Sequence, residues 1–321
     1  LFEKYFYFLN IVKEFFLNNE FIEVYTPVLV PCPGTEVYLD YFNTYWKGYT
    51  SKSHKLFLRS SPEIHMKQLL AMGFSKIFQI APSFRNGYEL SNWHNPEFLM
   101  LEWYLTDIGF DAFIDHTQEF LKFTFEKLKQ RYHDEIKFIF TDNIKRISIS
   151  QAFKEFADIE LEDGDEDLAK IAKSKGIVSV NITDDFETAF FKILIEKVEP
   201  NLEKIGLCVL YDYPASQAAL SSVINGWAKR FEFYYKRVEL CNAFLELTDP
   251  IENKKRIRQA LKKRKILGKT PIKEDKNFYI ILENNQGLPS SCGNALGLDR
   301  WFAILFGYEE IIIPKLWDIF V

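Results

Sequence analysis

Cysteine is scarce: Cys32, Cys208, Cys241 and Cys292 are the only four in 321 residues, and no two form a CxxC pair. That spacing offers neither a disulfide framework nor a zinc site, so a reduced cytoplasmic chain is the simplest expectation. Long apolar runs are missing too, and no stretch approaches the roughly 18 residues a membrane span needs. The chain opens without a cleavable leader, and with no initiating Met its start reads as trimmed. Positive charge is not in excess. At a formal net charge of −5, a nucleic-acid partner would need a local basic patch. Neither a Walker loop nor a dinucleotide fingerprint occurs. Aromatic residues, by contrast, make up 17% of the chain, Phe alone counts 31, and 47% is hydrophobic, which excludes a disordered polymer. A chain of this length buries on the order of three quarters of its unfolded surface.

The most informative stretch runs from Lys76 to Tyr104. Alternation in Lys76–Arg85 and again in Phe98–Tyr104, around a polar and turn-rich centre, predicts an antiparallel hairpin with a long tip. Arg85 sits beside the tip. On the second arm Phe98, Met100, Glu102 and Tyr104 share one face, with Leu99, Leu101 and Trp103 on the other. Such an arm either lines a cleft for an anion and an ammonium or presents its charges to solvent, and the segment alone does not choose.

An amphipathic helix is expected to end near Asn18-Asn19, followed by a strand from Phe21 to Pro27 and a Pro/Gly loop to Gly34. Ser61 as N-cap and Pro62 at the first helical position predict a helix over 64–72. Residues 107–200 read as mainly helical, and the acidic run Glu160–Asp167 as a solvated loop. Strands are expected at 207–213 and 230–248, with a turn at Lys236-Arg237. Asn242, Phe244 and Glu246 alternate onto one face, but Glu239 has the wrong parity, so placing it with them requires a β-bulge before Asn242. On opposite arms, Glu232 and Glu239 are candidate Mg²⁺ ligands, since that ion takes oxygen from few carboxylates plus phosphates. A basic helix over 252–265 reads as a solvated face, with partner docking as the alternative. The chain is expected to close with Tyr279–Leu282, a polar loop and a final helix over 298–306; within the loop Ser291–Gly297 is built of small residues that let backbone approach a ligand, and the helix that follows carries Arg300 near its N-terminus, a phosphate-binding arrangement. No repeat or linker divides the chain, so one domain over 1–321 is expected.

Three signatures occur in order: Glu23-Val24-Tyr25-Thr26-Pro27, then Phe84-Arg85 with His94-Asn95-Pro96-Glu97-Phe98, then Gly297-Leu298-Asp299-Arg300. They resemble motifs 1, 2 and 3 of class II aminoacyl-tRNA synthetases of the lysyl type. Residues 61–67, 214–220 and 239–249 are similar to the paralogous branch that joins (R)-β-lysine to elongation factor P. The resemblance spans the chain and implies an α+β fold with an antiparallel sheet flanked by helices, lacking an anticodon-binding domain. It also implies an ATP-dependent, AMP-forming ligase for lysine or (R)-β-lysine with Mg²⁺ as cofactor, elongation factor P as acceptor, tRNA an unlikely one, and a homodimer built on the first helix and strand. Charging of tRNA and an inactive binding subunit are the alternative readings.

Carried over position by position, the resemblance puts Arg85 between amino-acid carboxylate and α-phosphate and Arg300 near the γ-phosphate, the two catalytic positions. Asn86, Gly87, Asn95, Leu240 and Gly297 fall at the nucleotide, and Glu232 and Glu239 at the metal, Glu239 also at ATP. On the amino-acid side, Ser61 and Glu63 lie near the proximal amine, Glu102, Tyr104 and Glu246 near the distal ammonium, and Asn242 where it orients the substrate. Ala295 stands where the tRNA-charging enzymes have glycine, and its methyl would favour β-lysine over α-lysine by about 1–3 kcal/mol. Two departures stand out. Gly87 replaces the usual motif 2 acid in a loop one residue longer, where Glu89 is the substitute carboxylate, and Ala243 replaces the glycine usual after Asn242.

Overall fold

Where the sequence alternates, the chain pairs. The computed structural model describes residues 1–48, 53–87 and 91–313. In chain order it contains α1 (Phe2–Asn18), β1 (Ile22–Glu23), β2 (Leu29–Val30), β3 (Asn43–Lys47), β4 (Ser53–Leu58), α2 (Glu63–Ala71), β5 (Lys76–Phe84), β6 (Glu97–Thr106) and α3 (Phe110–Arg131). There follow β7 (Lys145–Ser148), α4 (Ile149–Ala157), α5 (Leu168–Ser174), α6 (Phe186–Ile193), a π-helical turn (Leu194–Val198), α7 (Glu199–Ile205), β8 (Leu207–Pro214), β9 (Val223–Ile224), β10 (Trp227–Tyr235) and β11 (Val238–Leu245). The described chain closes with α8 (Pro250–Ile266), α9 (Lys276–Asn284), β12 (Ser291–Gly297) and α10 (Leu298–Leu305). This is an α+β protein of mostly antiparallel strands flanked by helices. Two compact units share the chain: Leu1–Phe138 with Leu247–Val321, and Ile139–Glu246.

In the first unit β1, β5, β6 and β12 lie side by side, β1 parallel to β5 and the others antiparallel. The hairpin β5–β6 pairs from Lys76↔Leu105 to Phe84↔Glu97. One of its faces packs under α1 and α3: Phe16 stacks on Phe78 with centroids 4.8 Å apart and tilts against Trp103 at 5.4 Å, and Phe120 meets Trp103 at 5.6 Å. Since side chains alternate along a strand, that packing commits Glu102 and Tyr104 to the opposite face. A three-stranded sheet, β2-β4-β3, completes this unit.

The second unit orders its strands β11-β10-β8-β7, with β9 beside β10. Its core gathers Phe153, Phe190, Val198 and Leu210, all buried. The two-residue turn Lys236-Arg237 joins β10 to β11, with Lys236 at φ 56°.

Several expectations change. The strand over 21–27 shrinks to Ile22–Glu23, which pairs in parallel with β5 at Ile77 and Phe78. Pro62 rather than Ser61 takes the cap position of α2, and the Ser61 hydroxyl accepts the Glu63 N–H at 3.3 Å from just outside. Residues 291–297 form a strand, not a loop: pairing with β6 from Ser291↔Thr106 to Gly297↔Met100 overrides the low strand propensity of Gly293, Asn294 and Gly297.

The aromatic layer holds one histidine at a cost. His116 stacks on Phe113 and touches Phe15, Phe21 and Trp103, and among the described residues neither ring nitrogen has a hydrogen-bond partner. Burial, with a lesser push from the charge of Lys76, lowers its pKa from 6.5 to about 4. The unfolded chain therefore binds the proton more tightly, and stability falls as pH drops from 6.5 towards 4, by about 3 kcal/mol in all. Replacing His116→Phe should flatten that acid limb in denaturant titrations at pH 4 and pH 7. An unchanged difference between the two pH values would contradict this.

Candidate active site

Each unit carries part of the expected site, and each is described by itself. In the first, three strands align Gln79, Glu102 and Ala295 in one row, and Ile77, Tyr104 and Gly293 in the next. Directly opposite residues share a face, so the Ala295 methyl lies next to the Glu102 stem. Glu102 is 1% exposed, and Tyr104 donates its hydroxyl to Glu102 Oε2 at 3.0 Å. Burial, then the nearby Glu63 charge, pushes the Glu102 carboxyl up to about 8, against the opposing pulls of Tyr104, Lys67 and Arg59. Helix α2 packs on β6 and starts with Glu63, whose Oε1 accepts from Lys67 Nζ at 2.6 Å.

Arg85 follows β5 directly, and its backbone N–H donates to the Pro96 carbonyl at 2.9 Å, closing the base of the hairpin tip. Its guanidinium lies over the Phe98 ring at 5.2 Å, and its buried Nε has no hydrogen-bond partner among the described residues. An arginine with an unsatisfied buried donor is an anion site by chemistry. Asn86 donates its N–H to the Asp40 carbonyl at 3.0 Å, and Asn95 Nδ2 reaches the Glu97 carbonyl at 2.8 Å. Gly87 is exposed with open space around it. The substitute acid Glu89 lies outside the described residues.

At the same end of the sheet, where Gly297 pairs with Met100, it precedes α10 without a side-chain cap, leaving the helix's first N–H groups open. Arg300 donates to the Trp93 carbonyl at 3.1 Å and meets His94 Nε2 at 2.9 Å, so motif 3 touches the hairpin tip. Its neighbour Asp299 is buried and fully used: Oδ1 accepts from Tyr5 at 2.5 Å and Oδ2 from the Leu99 N–H at 2.8 Å. Burial raises the Asp299 carboxyl to about 6 despite those two donors.

The second unit resolves the parity problem of Glu239. Phe233 pairs with Cys241 and Tyr234 with Glu239, so Leu240 is an extra residue, a bulge on β11. It turns Glu239 onto the face of Asn242, which itself pairs with Glu232. Glu246, at 2% exposure, bridges Ser221 just past the strand.

Glu232 is engaged in a way its sequence position does not reveal. Arg230 takes Oε1, while Tyr213 and Tyr234 donate to Oε2 at 2.5 and 2.9 Å. The same guanidinium holds Asn242 Oδ1 at 3.1 Å and stacks on the Tyr213 ring at 4.4 Å. This carboxylate thus holds two phenols and a guanidinium inside a buried shell, so a Mg²⁺ ion bound there with the ATP phosphates would share it with the arginine cation. Among the described residues no three His, Cys, Asp or Glu side chains cluster for a metal. Arg230, Glu232 and Tyr234 alternate along one strand, which is the signal that points to this network.

The basic helix is largely occupied. Lys254 pairs with Glu283, Lys255 and Arg256 with Glu252, and Arg258 with Glu274. Arg264 is buried under Tyr41, donating to the Glu36 and Leu39 carbonyls, so it anchors a loop rather than facing a partner. All four cysteines are buried and none is in a disulfide, and among the described residues no helix is long and apolar enough to cross a membrane.

The family model for class II tRNA synthetases (D, K and N) matches residues 2–313. An elongation factor P–(R)-β-lysine ligase of Histophilus somni is 35% identical over 307 residues, 94% of this chain and 89% of that protein. Proteins of the same name from Photobacterium profundum and Vibrio cholerae are 34% and 33% identical over 312 residues, 94% of this chain and 90% of each of theirs.

Proposed function

Since the chain belongs to the class II tRNA synthetase family (D, K and N), and within it to the elongation factor P–(R)-β-lysine ligases, we propose that it activates a lysine-like amino acid with ATP and joins it to a lysine side chain of elongation factor P. The observation that carries the reading is the hairpin β5–β6. It bears an arginine with an unsatisfied donor at one end and a buried carboxylate–phenol pair, Glu102 and Tyr104, towards the other. From Glu97, opposite the end of β5, to Glu102 is about 17 Å of strand, room for a lysyl chain and its adenylate phosphate.

In the first step a carboxylate oxygen of the amino acid attacks the α-phosphorus of ATP, and pyrophosphate leaves. No general base is needed, so the protein's contribution is orientation and charge complementarity. Arg85 binds the reacting carboxylate and α-phosphate, and Arg300 the distal phosphates at the N-terminus of α10. In the first unit Glu63 takes the proximal amine and Glu102 with Tyr104 the distal ammonium. In the second step the neutral acceptor amine attacks the acyl carbon and AMP leaves, which favours alkaline pH. Ala295, beside Glu102, narrows the slot in favour of (R)-β-lysine. The reading includes residues 1–321 acting as one catalytic domain in the cytoplasm. It also includes a homodimer through α1 and β1, supported by the exposed Phe6, Ile22 and Tyr25.

The test offers elongation factor P or tRNA-Lys to the enzyme with magnesium-ATP and either α-lysine or (R)-β-lysine, and reads product mass. A gain of one lysyl residue on elongation factor P, larger with the β-isomer, is the expected result. Label on tRNA alone would overturn the acceptor, and no adenylate with either isomer would leave an inactive binding subunit.

A further inference from the structure

Glu63 and Lys67 stand four residues apart on α2, a spacing that ordinarily makes a solvated surface pair of small energetic consequence. Here the Lys67 side chain is 1% exposed, and its ammonium lies 2.6 Å from Glu63 Oε1. Burying an ammonium is costly unless it is paired, and α2 spends this burial on the face that packs against β6. Lys67 also acts on Glu102, the neighbouring acid of β6, alongside the Glu63 charge. Three ionisable groups thus meet on the face of the sheet that α1 and α3 leave uncovered.

We propose that Lys67 is a positioning residue for amino-acid selection: by holding Glu63 Oε1 it fixes the carboxylate so that only Oε2 faces the substrate amine. The inference rests on the functional reading above and adds to it a residue that contacts no substrate. Its consequence for specificity follows from geometry. α-Lysine and β-lysine place the proximal amine one carbon apart. A carboxylate clamped on one oxygen reads that difference, whereas a free one rotates to follow either amine.

A purely structural buried pair would predict lower stability alone, so the test separates binding from folding. Amino-acid-dependent pyrophosphate exchange is measured for wild type and Lys67→Met, with KM for each lysine isomer, KM for ATP and kcat determined separately. The expected result is an amino-acid KM at least tenfold higher with ATP KM within twofold, and a preference between the isomers that shrinks at least threefold. If Lys67→Met does not fold, Lys67→Leu carries the same expectation, since it too fills the space without a donor to Glu63. An unchanged isomer preference, or equal losses for ATP and amino acid, overturns the role of Lys67 while leaving the ligase reading intact. Wild-type enzyme that exchanges pyrophosphate with neither isomer overturns both.

Discussion

Glu102→Gln should yield a protein that is more stable at alkaline pH and nearly unable to use a diamino acid. The carboxyl is 1% exposed with Tyr104 as its hydrogen-bond donor, and its pKa is raised from 4.5 to about 8. A raised folded pKa means that the native state binds the proton more tightly than the unfolded chain. The stability this provides is complete below pH 4.5 and is lost as pH rises through 8, about 5 kcal/mol in total. The amide cannot ionise, so variant and wild type should match near pH 4.5 and diverge by several kcal/mol at pH 9 in urea titrations. Function should move the opposite way. An ammonium arriving at Glu102 restores the charged carboxylate, and without that charge kcat/KM for the diamino acid should fall about a hundredfold or more. Added lysine should accordingly raise the melting temperature of wild type at pH 8 and leave that of the variant unmoved. Equal pH profiles for the two proteins would remove the argument.

Arg85→Ala should lower pyrophosphate exchange by about 10²–10³, the loss typical when one preorganised donor to a developing charge is removed. Two observations set this expectation: the buried Nε without a partner among the described residues and the Phe98 ring 5.2 Å beneath the guanidinium. The ring holds the planar group in place without competing for its donors. Arg85→Lys keeps the charge but loses both the fork and the stacking, so it should recover only a small part of the rate. Activity of the alanine variant within threefold of wild type would show that the phosphate is held elsewhere.

The hairpin, the helices flanking it and the Lys236-Arg237 turn are legible because their signals are local: alternation, caps and charge at a tip. Even the bulge at Leu240 follows from parity once Glu239 and Asn242 are required to share a face. What remained hidden depends on partners distant in sequence. Tyr213 reaches Glu232 from another strand, and no local pattern announces that the carboxylate is already taken. Lys67 reads as one half of an ordinary helical ion pair, since spacing carries no information about burial. β12 is built from residues that disfavour strands, and only the neighbouring β6 makes it one. The same limit applies to Arg264, which looks like its seven basic neighbours on α8 and alone among them is buried, against Tyr41.

The bulge at Leu240 also bears on how relatives of this chain should be aligned. Loss of that one residue would regularise the β10–β11 ladder and leave Glu239, Asn242 and Glu232 on the face they now share. Continuing the ladder straight through Leu240 would instead send Asn242 and everything beyond it to the reverse side. A gap opened at this position therefore changes the twist of two strands but not the order of chemical groups along the sheet. The same gap shifted two residues on, to Asn242, would delete a contact instead.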